Sequence, residues 1–329
     1  MTTAPSSTSS SSGRPAELAR VGCLILLLSA GVEIGWRSRG FTPMPADDVY
    51  HWCFERRRVG KSPDVLVLAG SSRFHCGLSV AEFERAASAR PVIQLSVSGG
   101  NPLSLLADLA QDPEFRGTVL CEVIPHLYFT NIGPWSLWPG LEHRPFSSPG
   151  EDWLRVHASR HLALLRPELK LGRVGQGLWE KAEFPSAGPQ KITRSRELLA
   201  DFSQVDVEES MRTQAAAYEK TGKTLDAGAL AQRISWIRQQ VDQIQRRGGR
   251  VVFFRMLSSG RILEIEDLRF PDAEYWGAFV RGCGAPAIHF RDLPALDAFR
   301  CPEGSHLDRQ DAAPFTRVLT LELRRRSLL

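Results

Sequence analysis

Gly70-Ser71-Ser72-Arg73 and Glu303-Gly304-Ser305-His306 lie far apart in the chain, yet each supplies what the other lacks for cleaving an ester. A serine hydroxyl attacks a carbonyl when a base takes its proton, and an imidazole does this best when a carboxylate fixes its tautomer. The spacing Glu-x-x-His keeps both side chains on one side of a helical turn or tight loop. The expected roles are therefore Ser72 as nucleophile, His306 as base and then acid, and Glu303 as the group that orients the imidazole. The amides of Ser72 and Gly99 are expected to face the developing oxyanion, and glycine suits that position because it lets substrate approach the backbone closely. Taken singly, a small-residue turn or a late histidine is more often structural. The expectation rests on their conjunction.

The elements that must position them follow from periodicity. Val65-Leu66-Val67-Leu68-Ala69 is an unbroken apolar run, read as a buried strand whose carboxyl end delivers the first tetrapeptide. Ser79-Val80-Ala81-Glu82 has the form of a capping box opening a helix that runs to about residue 90. Val92 to Val97 is a second strand and Ser98-Gly99-Gly100 a turn, and Asn101 caps a helix whose first residue is Pro102. Thr118 to Ile124 is a third strand. Strands alternating with helices at this spacing predict a parallel sheet with right-handed crossovers.

From Pro125 to about Thr224 the pattern breaks into a stretch rich in Pro, Gly and aromatics, including Trp135, Trp138, Trp153 and Trp179. It reads as an inserted lid. Its aromatics could stack on sugars or lie against lipid, and packing within the lid itself is the reading favoured by the burial habits of such side chains. Regularity returns with Leu230, Ile234, Ile237, Val241 and Ile244, one stripe of a helix that Gly248-Gly249 should stop. A strand at Val251 to Phe254 follows, then a polar loop with Ser258-Ser259-Gly260-Arg261, an aromatic helix near Tyr275 to Phe279, a short strand Ala287 to Phe290, and a helix from about Arg309.

The chain has 329 residues, 43% hydrophobic and 24% charged, with a formal charge of +4. This is an ordinary globular composition, and the charge is too small and scattered to argue for nucleic acid. Residues 1–14, mostly Ser, Thr and Ala, are expected to be disordered. Val21 to Trp36 is apolar except for Glu33, giving about 24 Å of helix against a hydrocarbon core of about 30 Å. Residues 15–37 are read as a signal anchor or a signal peptide cut after Gly31, ahead of an α/β domain over 38–329. Arginines flank the run on both sides, so orientation is not fixed by charge. Of the six cysteines, Cys23 lies in this run. The other five, Cys53, Cys76, Cys121, Cys283 and Cys301, lack metal-ligand spacing, and Cys283 with Cys301 is either a disulfide or two unrelated buried thiols. No metal or cofactor is expected.

Gly-x-Ser after the first strand, Ser96-Val97-Ser98-Gly99 after the second, and an acid three residues before a late histidine together resemble the SGNH (GDSL-type) hydrolases. The likeness is to their membrane-anchored bacterial branch, which includes polysaccharide O-acetylation and teichoic-acid D-alanyl transfer proteins, and it covers roughly residues 60–110 and 245–325. The resemblance implies a flavodoxin-like three-layer α/β/α fold and an esterase or O-acyltransferase acting on a cell-envelope glycan through an acyl-serine. It also implies a domain outside the cytoplasm and, for a transferase, a multispanning membrane acyltransferase as partner. Ser72, Gly99 and His306 match the nucleophile, the oxyanion glycine and the base. The sequence departs from the family in carrying Glu303 where Asp is usual. It also lacks the Gly-x-Asn-Asp block, since strand three runs into Glu122-Val123-Ile124-Pro125-His126; Asn101 or Asn131 would have to supply the missing oxyanion donor. A catalytically inactive relative that binds glycan or a partner protein through the same cleft is the alternative. Arg73, Arg255 and Arg261 could hold an anionic substrate group, although pairing with carboxylates such as Glu122 is the expected use of their guanidinium forks.

Overall fold

Five short strands form one parallel sheet in the computed structural model, which describes residues 14–60, 62–86, 90–132, 149–181, 184–185, 188 and 190–329. In chain order the strands are β1 (Leu66–Ala69), β2 (Val92–Gln94), β3 (Thr118–Val123), β4 (Gln190–Ile192), β5 (Leu198–Ala200), β6 (Arg250–Arg255) and β7 (Ala287–His289). The sheet order is β2-β1-β3-β6-β7, while β4 and β5 make a separate antiparallel hairpin. Leaving the hairpin aside, this is the 2-1-3-4-5 order of flavodoxin-like doubly wound sheets, and the order reverses beside β1, where such folds place their sites.

The helices are α1 (Arg14–Ser38), α2 (Val49–Val59), α3 (Ser72–Gly77), α4 (Val80–Ala86), α5 (Pro102–Gln111), α6 (Pro125–Tyr128), α7 (Pro149–Ser159), α8 (Leu171–Lys181), α9 (Val207–Lys220), α10 (Ala227–Arg246), α11 (Gly260–Arg269), α12 (Tyr275–Gly282) and α13 (Arg309–Arg325). Strand residues are buried on both faces, which explains their continuous apolar runs. Val67, Val119, Val251 and Phe253 pack on one face with the leucines of α5 and the stripe of α10. Leu66, Leu68, Leu120, Val252 and Phe254 face the other way, toward Phe74, Phe83 of α4 and Phe315 and Leu319 of α13. The result is three layers, α/β/α.

The described residues fall into two compact units. One lies within Met1–Met44 and Ala158–Ala187, the other within Pro45–His157 and Gly188–Leu329. The second holds the sheet. In the first, α1 is helical well beyond the apolar run. Its 25 residues span about 37 Å, and Ala16–Ser38 is long and apolar enough to cross a membrane. Glu33 on α1 accepts the N–H groups of Ala163 and Leu164, at 2.9 and 2.8 Å. Of the stretch expected to be disordered, only Arg14 is among the described residues, and it is helical.

Two local expectations differ from the structure. At the start of α4 the Val80 N–H is taken by Glu197 from the β4–β5 hairpin, while Glu82 pairs with Arg85 and Arg317; a tertiary carboxylate thus does the work expected of a local capping box. The segment after β6, expected as a loop, contains α11. Its Ile262 and Ile265 pack with Ala215 and Tyr218 of α9.

Candidate active site

The turn after β1 is fixed from below. A side chain at Gly70 would come within 2.4 Å of Phe74 and 2.7 Å of the Glu122 carboxylate, so only glycine fits. Glu122, buried at the end of β3, accepts both the Ser71 N–H (2.6 Å) and the Ser71 hydroxyl (3.0 Å). Burial pushes the Glu122 carboxyl up, against the pull of Arg73 and the Ser71 bonds. Ser71 caps α3 by accepting the Arg73 N–H. Ser72 is therefore the first residue of a helix, where its amide has no intrahelical acceptor.

The late segment arrives in contact with it. His306 Nε2 lies 2.7 Å from the Ser72 hydroxyl oxygen, and His306 Nδ1 is bonded to a Glu303 carboxylate oxygen. Glu303 is 1% exposed; burial alone would raise its carboxyl, but His306 and the N–H and hydroxyl of Ser305 together hold it below its ordinary value. It is thus ionised at neutral pH. The turn that brings acid and base together requires Gly304, whose φ is +99° and whose missing side chain would meet Ile262 at 2.6 Å. Ser259, after β6, docks this turn: its N–H donates to Gly304 O and its hydroxyl accepts the Cys301 N–H.

Ser72, Glu303 and His306 open onto a cavity of about 330 Å³ that Ser98 and Gly99 also line. Gly99 has φ +73°, and neither its N–H nor that of Ser72 has an acceptor among the described residues. The Ser98–Gly99 turn is held from two sides. His75 on α3, fully buried and pushed down to about 4 mainly by that burial, contacts the Ser98 hydroxyl at 3.2 Å. Arg196, on the hairpin at φ +61°, donates to the carbonyls of Gln94 and Ser96 at the end of β2 and to Asp47. The far wall comes from the hairpin (Leu198, Ala200), the segment after it (Phe202, Val205) and α9 (Gln214). The Gln214 carboxamide oxygen accepts the Ser305 hydroxyl at 2.6 Å.

Other expected positions lie elsewhere. Asn101 caps α5 through its side-chain oxygen, its amide nitrogen is buried without a partner, and it is not part of the cavity wall. Asn131 bridges to the backbone of residue 223. Arg73 and Arg255 do not reach the cavity. Both are fully buried, Arg73 against Glu266 (2.6 Å) and the Tyr218 hydroxyl (2.8 Å), Arg255 against Asp272 and Glu266. This network ties α3, which carries Ser72, to α9 and α11. Arg261 pairs at the surface with Glu219 and Glu264. None of the six cysteines forms a disulfide: Cys283 and Cys301 lie in cores on opposite faces of the sheet, which excludes their bond here. Of the four insertion tryptophans, Trp135 and Trp138 lie outside the described residues. Trp153 and Trp179 are 52% and 92% exposed, so a packed lid core does not hold them.

Sequence reasoning missed Ser305, His75, Arg196 and the cavity wall at 190–214. The wall consists of short elements with no long periodicity, and the only local signal was the adjacency of Ser305 to His306.

Comparison of the chain with protein-family models, with curated proteins and with solved structures finds no match. Among the described residues no group of three His, Cys, Asp or Glu side chains is arranged to hold a metal ion.

Proposed function

We propose that this chain is a serine esterase or O-acyltransferase of SGNH type that works through an acyl-Ser72 intermediate. The observation that carries the reading is the continuous chain of contacts from the Ser72 hydroxyl through His306 to Glu303. As an ester carbonyl enters, the Ser72 oxygen bonds to its carbon and its proton passes to His306 Nε2. Glu303 stays ionised and keeps the imidazole proton on Nδ1. The oxyanion is met by the Ser72 and Gly99 amides, which supply the donors that such an intermediate needs. The ester C–O bond then breaks and His306 returns the proton to the leaving oxygen. Water or a sugar hydroxyl next gives its proton to His306 and attacks the acyl carbon, and Ser72 recovers its hydrogen as the acyl group leaves. Gln214, on the wall beside this triad, is better placed than Asn101 or Asn131 to replace the asparagine the family uses.

The cavity wall carries no Lys or Arg among the described residues, so the portion of substrate bound there is uncharged or cationic, contrary to an anion held by Arg73 or Arg255. Its volume is at the small end for ligand sites and suits a short acyl group with part of a sugar. The length and apolar character of α1 support a tether that would hold this activity at a membrane. With the family resemblance, this supports a domain on the outer side that acts on an envelope glycan; for a transferase, a multispanning acyltransferase would deliver the acyl group. A fluorophosphonate probe tests the chemistry. Labelling that is lost in Ser72→Ala and His306→Ala supports the enzyme, whereas no labelling of a folded wild-type chain would leave the glycan- or partner-binding reading in its place.

A further inference from the structure

Among the described residues, the apolar side of α8 is largely uncovered. Leu171, Val174 and Leu178 recur at three and four residues and so share one face, while Arg173, Gln176 and Glu180 take the opposite one. Leu171 is 90% exposed and Leu178 41%, and Trp179 stands beside them. Leu162 and Leu165 in the preceding segment are also exposed. Contiguous apolar surface of this kind marks a contact, and its position in the unit indicates which one.

This segment hangs from the end of α1. Besides the two bonds from Glu33 to Ala163 and Leu164, Arg37 donates to the His161 carbonyl at 2.8 Å. At the same end Trp36 meets Phe41 and Phe184 edge-on, and the Arg39 guanidinium lies over Trp36 and Phe184. Aromatics and arginines collected at the end of an apolar span are the composition of the boundary between lipid and water. The exposed leucines belong to the same compact unit as α1 and follow directly on the segment bonded to its end. We propose that residues 161–181 form a foot on the membrane surface, with α8 lying flat, its leucines in the acyl boundary and Arg173, Gln176 and Glu180 toward water. The ligand is the bilayer itself. This inference rests on α1 spanning that bilayer.

The test uses the full chain in phosphatidylcholine liposomes with Cys53→Ser. A nitroxide on the native Cys23 checks α1, and in a Cys23→Ser background single labels at Leu178→Cys and Gln176→Cys read the two faces of α8. Collisions with dissolved oxygen should dominate at 178 and collisions with a water-soluble nickel chelate at 176. Equal nickel access at both positions would overturn the foot, as would a label at 178 shielded from both reagents, which would mean that protein covers this face. Nickel access at Cys23 would instead overturn the membrane-spanning reading, and this inference with it.

Discussion

The hydroxyl of Ser72 contacts one imidazole, and that imidazole is held by a glutamate, one methylene longer than an aspartate. Glu303 reaches Nδ1 because Gly304 lets the backbone fold back and because the Ser305 N–H donates to its Oε2 at 2.9 Å. Glu303→Gln keeps the shape but removes the charge that stabilises the imidazolium. Turnover of an acetyl ester should fall by roughly 10³ to 10⁴-fold with little change in KM, read by steady-state kinetics. Next to Ser72, Arg73 pairs as expected of a guanidinium fork, but with Glu266 and Tyr218 behind the site rather than with Glu122.

Helix α3 joins the two halves of the proposed catalytic apparatus. Its first residue is the proposed nucleophile Ser72, and three residues on, His75 reaches the turn that carries Gly99. Burial keeps His75 neutral, with Asp47 opposing and Arg196 reinforcing that effect. The sign follows directly: the unfolded chain binds this proton near pH 6.5 and the folded chain only near 4. His75 therefore contributes stability that is fully present above about pH 6.5 and lost as pH falls toward 4. Urea unfolding should show the wild type losing up to about 3 kcal/mol more than His75→Gln across that window. Equal pH dependence of the two proteins would mean that the imidazole is not held neutral.

At the level of the whole molecule, a sheet-bearing unit with a small cavity belongs to the same chain as a unit built on a single apolar helix. Glu33 would be costly in lipid if unpaired. It lies near the end of α1, accepts two backbone N–H groups and pairs with Arg37, which is how a charge is tolerated close to a membrane boundary. In membrane fractions the full chain should resist high salt and alkaline carbonate and be released only by detergent. Removing residues 1–38 should weaken attachment to the level of a surface-bound protein. Release of the full chain by salt alone would assign α1 to docking rather than spanning.

Ser72, Glu303 and His306 were legible in the sequence because each signal is local: an apolar run ends in small residues, and an acid precedes a histidine by three. The parallel sheet was legible for the same reason, since strands buried on both faces have continuous apolar runs and α10 has one clean stripe. The cap at Asn101 and the ion pairing of Arg73 and Arg255 were legible too, but the identity of the arginines' partners was not, because which carboxylate a buried guanidinium meets depends on elements far away in sequence. The partner of Arg73 is 193 residues on, and the cap of α4 comes from a hairpin 117 residues later. The cavity wall and the foot on α8 belong to the same class. The chain sets which residues can do chemistry, and only the packing of distant segments decides which of them meet, because burial and hydrogen-bond partners are properties of the fold and not of any short stretch.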